Sequence, residues 1–240
     1  KKMKKMSKKI YNFDEVISRR NSDCKKFNPT IYPPEILPMW IADTDFPVPD
    51  EAYEAAKNRV EHNLYGYPYD MPEFNEAVVG WYKRRHNYEF TTDCVDYAFG
   101  VVPAAIHCIM SMTHPGDKIV CLTPLYSPLR EAVVDNGRTL LSSTMDYEDG
   151  IYSINWADLE AKLADNRTEM FILCNPHNPG GKVYTKEELL KIGELCLKYE
   201  VIVFNDEIHA DIVYSGVEYT SFPTLSKEFA NITITGINPG

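Results

Sequence analysis

Residues 169–209 read EMFILCNPHNPGGKVYTKEELLKIGELCLKYEVIVFNDEIH, and the architecture can be worked outward from them. Met170 to Cys174 is an unbroken apolar run of strand length, the pattern of a strand buried on both faces. A loop of Asn, Pro and Gly follows. Thr185-Lys-Glu-Glu188 then forms a capping box, and Leu189, Ile192, Gly193 and Cys196 share one face of a helix predicted over 185–199. Val201 to Asn205 supplies a second apolar strand. A helix between two such strands is the crossover that parallel pairing requires. The alternation extends in both directions. Further strands are predicted over 94–99, 118–122, 138–143 and 232–236, and further helices over 102–113, 127–136 and 156–164. The fold class is therefore α/β, a mostly parallel sheet sandwiched by helices.

Upstream the pattern changes. The first 48 residues lack steady periodicity and are rich in Pro and aromatics (Phe27, Pro29, Tyr32, Pro33, Pro34, Trp40, Phe46, Pro47). They read as a tail and an extended N-terminal arm, with residues 49–240 as the sheet-bearing domain. Asp50 is expected to cap a helix whose Ala52, Ala55 and Ala56 share a face, and a second helix is expected over about 72–85.

The chain has 240 residues and a formal net charge of −10. Six of its basic residues are Lys1, Lys2, Lys4, Lys5, Lys8 and Lys9; the remainder carries 19 basic against 35 acidic side chains, a balance of −16. Such a field repels phosphate, which argues against nucleic acid or an anionic membrane as partner. No apolar run approaches the roughly 20 residues of a membrane span, and no apolar stretch follows the lysines as a signal sequence demands. The cysteines Cys24, Cys94, Cys108, Cys121, Cys174 and Cys196 form no C-x-x-C pair and lie in apolar stretches. Buried free thiols in a reducing cytoplasm are the expectation.

In a parallel sheet ligands bind beyond the carboxyl ends of the strands. Four such ends stand out. Gly100-Val101-Val102-Pro103 opens a helix whose free N–H groups suit a phosphate, or forms a structural turn. Thr123-Pro124-Leu125-Tyr126 ends on an aromatic that serves packing or a ligand. The Asn-Pro steps of Asn175-Pro-His177-Asn178-Pro-Gly180 fix a rigid loop suited to aiming an amide. Asn205-Asp206-Glu207-Ile208-His209 puts carboxylates at the end of a core strand, where a carboxylate needs a counter-charge. Glu207, His209 and Asp211 at alternate positions would share a face of a continued strand, a pattern open to a metal reading as well.

Taken together, these segments resemble the class I/II aminotransferase superfamily of pyridoxal-phosphate (PLP) enzymes, fold type I. The similarity is strongest to its cystathionine β-lyase-like branch of carbon–sulfur lyases. It is carried by Leu37-Pro-Met-Trp40-Ile-Ala-Asp43-Thr-Asp45-Phe46, Tyr65-Gly66-Tyr67, Gly100 to Ala104, Cys174 to Gly180 and Asn205 to His209, in the family's order from about residue 11 onward. The Trp40–Phe46 segment favours the lyase branch. The resemblance implies that residues 1–48 belong with a small domain and 49–240 are the N-terminal part of the PLP-binding large domain. It implies that Asp206 pairs with the pyridine nitrogen, that Asn178 bonds the phenolic oxygen, and that Tyr126 stacks on the ring. Val101 and Val102 would hold the phosphate through backbone N–H groups, and His209 would lie near the cofactor. Tyr67, or less readily Tyr65, would reach the phosphate of a neighbouring subunit, which implies a homodimer with shared active sites.

The resemblance also places the Schiff-base lysine immediately after Gly240, where the family has Ser-Lys. The phosphate-binding Arg, the substrate-carboxylate Arg and a C-terminal small domain would lie further on. The expectation is that this lysine is modified or that the remainder was left out. The implied reaction is PLP-dependent β-elimination from cystathionine or a cysteine-type amino acid, giving pyruvate, ammonia and a thiol. An aminotransferase on the same fold, a non-catalytic binding or regulatory module, and a metal hydrolase using Glu207, His209 and Asp211 are the rivals.

Overall fold

A computed structural model describes residues 11–20 and 22–238. The lysine-rich start and Gly240, on which two of the expectations above rest, lie outside them. The chain divides into two compact units with the boundary between Pro68 and Tyr69.

The first unit is held by ion pairs and by tilted or edge-on ring contacts such as Phe13–Phe46 and Tyr32–Trp40. Arg19 pairs with Asp43 at 2.9 Å and Asp45 at 3.4 Å, and Lys26 pairs with Asp45 at 2.7 Å. Lys26 also donates to the Asp43 carbonyl at 2.9 Å. The acidic residues of the Trp40–Phe46 segment are thus fixed within their own unit. Helix α1 (Asp50–His62) buries none of its residues within the chain. It starts at Asp50 itself, with Pro49 at the cap position and no side-chain cap bond, so Asp50 is not the N-cap expected from sequence. Asn63, left-handed at φ 52°, ends it.

The second unit opens with α2 (Pro72–His86) and continues through α3 (Val101–Met112), β1 (Lys118–Thr123), α4 (Ser127–Val134) and β2 (Thr139–Thr144). A hairpin of β3 (Asp146–Glu148) and β4 (Ile151–Ser153) precedes α5 (Trp156–Leu163), β5 (Thr168–Cys174), α6 (Lys186–Lys198), β6 (Ile202–Asp206), α7 (Lys227–Asn231) and β7 (Thr233–Gly236). Five strands form one sheet in the order β2-β1-β5-β6-β7, and every pair is parallel.

Strand parity explains why these runs are apolar throughout. Val120, Leu122, Phe171, Leu173 and Val203 face a core completed by α5, α6 and α7. Ile119, Cys121, Met170, Ile172, Cys174 and Phe204 face a second core completed by α3 and α4. Both faces are covered, so neither can be polar. Helix α6 carries the full capping box between Thr185 and Glu188, as its sequence predicts.

The structure departs from the sequence reading at two further places. Residues 94–99 form no strand; a short 3-10 turn spans Thr92–Cys94, and Tyr97 and Phe99 are exposed. Their alternation is apolar, but no neighbouring strand offers them a ladder. Phe74, Tyr97 and Phe99 instead pack as aromatic edges, at 6.2 Å and 5.4 Å between successive ring centres. The β3–β4 hairpin was not anticipated, although Asp149 (φ 49°) and Gly150 (φ 84°) supply the left-handed pair a tight hairpin turn requires.

Of the cysteines, Cys121, Cys174 and Cys196 are buried, Cys24 and Cys108 are partly so, and Cys94 is exposed. All six are free thiols. Among the described residues no helix is long and apolar enough to cross a membrane.

Candidate active site

The site is assembled where β1, β5, β6 and β7 end. Cys174, Asp206 and Gly236 stand side by side in register across β5, β6 and β7. Asp206 shares strand parity with Phe204, so its side chain is turned to the α3–α4 side, where Cys174 also lies. Helix α3 begins there. Its Val101 approaches Gly236 so closely that a Cβ on that glycine would come within 3.1 Å of Val101 Cγ1 and of Phe204 Cζ. Gly100 enters the helix at φ 110°, a conformation that favours glycine, and no side chain caps the first turn. The N-terminal end of α3, with the Val101 and Val102 amides, is thereby set beside the end of β7.

Asp206 is 3% exposed. Its Oδ1 accepts the Ile208 N–H at 3.1 Å. Among the described residues, its Oδ2 has only a long contact, 4.0 Å, from Cys174 Sγ. Among the described residues no lysine or arginine forms an ion pair with it. Burial pushes its carboxyl above the ordinary value, opposed by the Ile208 N–H and the nearby His209 and reinforced by Glu207. A buried carboxylate with one oxygen so thinly served calls for a cationic or N–H partner from outside the chain.

Cys174 joins this carboxylate to the next loop, because its Sγ also accepts the Asn178 N–H at 3.4 Å. Burial raises the thiol to about 12, so it is a neutral contact rather than a nucleophile. The two amides of the loop differ in use. Asn175 is fully buried and committed: its Nδ2 donates to the Thr220 carbonyl at 3.1 Å, and its Oδ1 accepts the Tyr184 N–H at 3.4 Å. Asn178 is only partly buried, and its carbonyl accepts the Tyr126 N–H at 3.0 Å. Tyr126, 41% exposed, stands at the position before the first residue of α4 and makes no side-chain cap bond. The structure therefore brings Val101, Tyr126, Asn178 and Asp206 to one end of one sheet, and His209 follows on the turn after β6. Tyr67 belongs to the first unit, where its ring is fully exposed.

Glu207 faces the other way and is structural. It is 2% exposed and accepts Tyr82 Oη at 2.9 Å, Asn205 Nδ2 at 2.7 Å, Ser221 Oγ at 2.8 Å and the Phe222 N–H at 3.1 Å. Strand β6 ends at Asp206, so the alternate spacing of Glu207, His209 and Asp211 does not put them on one strand face. Asp211 is engaged by Trp81 Nε1 at 2.9 Å and Arg85 Nε at 3.4 Å. Cys174 and His177 were missed as site residues in the sequence. Their only signal was membership of the 174–180 motif.

The sequence model of the class I and II aminotransferases matches residues 36–236, most of the chain. The chain belongs to that family. Within it, the chain is 39% identical over 231 residues to the cystathionine β-lyase PatB of Bacillus subtilis, covering 95% of this chain and 60% of that protein. Cystalysin of Treponema denticola, whose crystal structure contains PLP, superposes with a TM-score of 0.91 at 33% identity, over 96% of this chain and 60% of that one. The PLP-bound C–S lyase of Staphylococcus hominis gives a TM-score of 0.88 at 30% identity, over 96% of this chain and 59% of that one. The chain thus spans about 60% of the length of these relatives. The α/β fold with a mostly parallel sheet expected from the sequence is the fold observed, and it is that of PLP-dependent fold type I enzymes.

Proposed function

We propose that the chain is the cofactor-binding part of a PLP-dependent carbon–sulfur β-lyase. The observation that carries this reading is Asp206, a buried carboxylate at a strand end whose outer oxygen lacks a strong partner among the described residues. A protonated pyridine nitrogen is the counter-group such an oxygen needs, so the residues present fit the cofactor. Bound there, PLP supplies an electron sink for the charge left when an amino acid loses its Cα proton. Asp206 holds the ring proton in place through its charge. Asn178 offers its amide to the phenolic oxygen, and Tyr126 covers one face of the ring and shields it from water. The Val101 and Val102 N–H groups receive the phosphate at the positive end of α3. His209 tunes Asp206 by its proximity, and Tyr67 of a neighbouring subunit completes the phosphate site in a homodimer. The six free thiols suit a cytoplasmic setting.

The substrates proposed are cystathionine and cysteine-type amino acids, with pyruvate, ammonia and a thiol as products. The names of PatB and of the C–S lyase support this choice, as does the Trp40–Phe46 segment. The experiment is pyruvate release from cystathionine by the product of the complete gene, with and without Asp206→Ala. The variant should lose at least about a hundredfold in rate, the scale of removing a preorganised charge. Unchanged release would refute the role of Asp206. The family's own name supports a second reading as an aminotransferase; amino-group transfer to a keto acid without pyruvate would select it.

A further inference from the structure

A buried histidine ties two loops of the site together. His177 is 3% exposed. Its Nε2 lies 2.6 Å from the Pro124 carbonyl oxygen. A carbonyl only accepts, so Nε2 carries the proton and Nδ1 is the acceptor. Tyr184 Oη, 3.1 Å away, donates to Nδ1, which fixes this tautomer. Burial pulls the imidazole below its ordinary pKa, and Lys182 acts in the same sense against the raising effects of Pro124 and Cys174; the ring is neutral at neutral pH.

The loop is closed tightly around this ring. The His177 N–H donates to the Lys182 carbonyl and the Gly181 N–H to the His177 carbonyl, both at 2.7 Å. A Cβ on Gly180 would come within 3.0 Å of His177 Cδ2 and of Tyr152 Cδ2. The two ends of the imidazole bond matter for the site. Asn178 is the next residue along the chain, and Pro124 precedes Tyr126 by two. The Tyr126 N–H in turn reaches the Asn178 carbonyl.

We propose that His177 is a positioning residue. Its Nε2–H bond to the Pro124 carbonyl holds the Tyr126 ring at a set distance from the Asn178 amide, so that both meet one flat heteroaromatic ring. This rests on the cofactor reading above. A histidine that only filled space would serve stability alone and would not need the Nε2 end.

The test uses PLP itself, titrated into the product of the complete gene as wild type, His177→Gln and His177→Asn. The Gln amide reaches the place of Nε2 and so Pro124. The Asn amide reaches only the place of Nδ1 and so Tyr184. His177→Asn should weaken PLP binding about tenfold, the scale of one lost hydrogen bond in a closed site, and shift the visible absorbance maximum of the bound cofactor. His177→Gln should stay within about twofold of wild type and keep the maximum. If Asn binds PLP as wild type does, or if Gln is as impaired as Asn, the positioning role is overturned. A wild-type protein that binds no PLP at all would instead overturn the cofactor reading beneath it.

Discussion

Two neighbouring carboxylates, one ending β6 and one on the turn after it, have opposite fates: Asp206 lies on the α3–α4 side beside Cys174, and Glu207 is drawn into donors from α2, β6 and the 221–222 segment. Asp206 is buried with a thinly served oxygen, and Glu207 is buried with four donors. The raised carboxyl of Asp206 means that the folded state holds its proton more tightly than the unfolded chain does. Its contribution is therefore most favourable below the unfolded value of about 3.9 and declines as pH rises through the folded one. Asp206→Asn cannot ionise and escapes that decline. Without cofactor it should be more stable than wild type at pH 7, on the order of 1 kcal/mol by urea unfolding, with the advantage vanishing in acid. A variant less stable at pH 7 would show that Asp206 is already paired. Tyr82→Phe removes one donor from Glu207 and should cost about 1–3 kcal/mol in the same assay. The motif at 205–209 was legible as carboxylates at a strand end. Which of them faced the ligand side depended on where β6 stopped, and the sequence carries no mark of that.

At the level of elements, α6 was the most legible because its signals agree: a capping box, an amphipathic face and flanking strands. Its Gly193 is explained only by tertiary packing. Phe229 of α7 lies on it, stacked on Phe222 at 5.4 Å, and a Cβ there would fall 2.4 Å from the Phe229 ring. Gly193→Ala should therefore destabilise by about 1–3 kcal/mol, despite the better helix propensity of alanine. A stabilised variant, judged by its thermal midpoint, would show that the ring can move aside. The strand expected at 94–99 failed for the converse reason. Alternation describes one strand, whereas a ladder needs two, and the partner is not encoded locally. The hairpin turn at Asp149-Gly150 was readable from its residue pair but sits in a polar, exposed stretch that carries little periodicity.

Across the whole molecule, five parallel strands covered on both faces leave only their ends free for chemistry. The positive end of α3, the Tyr126 and Asn178 loops and the Asp206 carboxylate converge there from separate parts of the chain. The sequence supplied the strand ends and, through family resemblance, the roles proposed for them. The thiol and imidazole that lash the loops together became visible only when β1 and β5 were seen side by side. The central claim is that Asp206 faces a ring nitrogen and keeps it protonated. It is tested most directly by the 15N resonance of PLP labelled at that nitrogen, bound to the product of the complete gene. Wild type should show the protonated position well above the pKa of the free ring, and Asp206→Ala the unprotonated one. Identical resonances in the two proteins would contradict the claim.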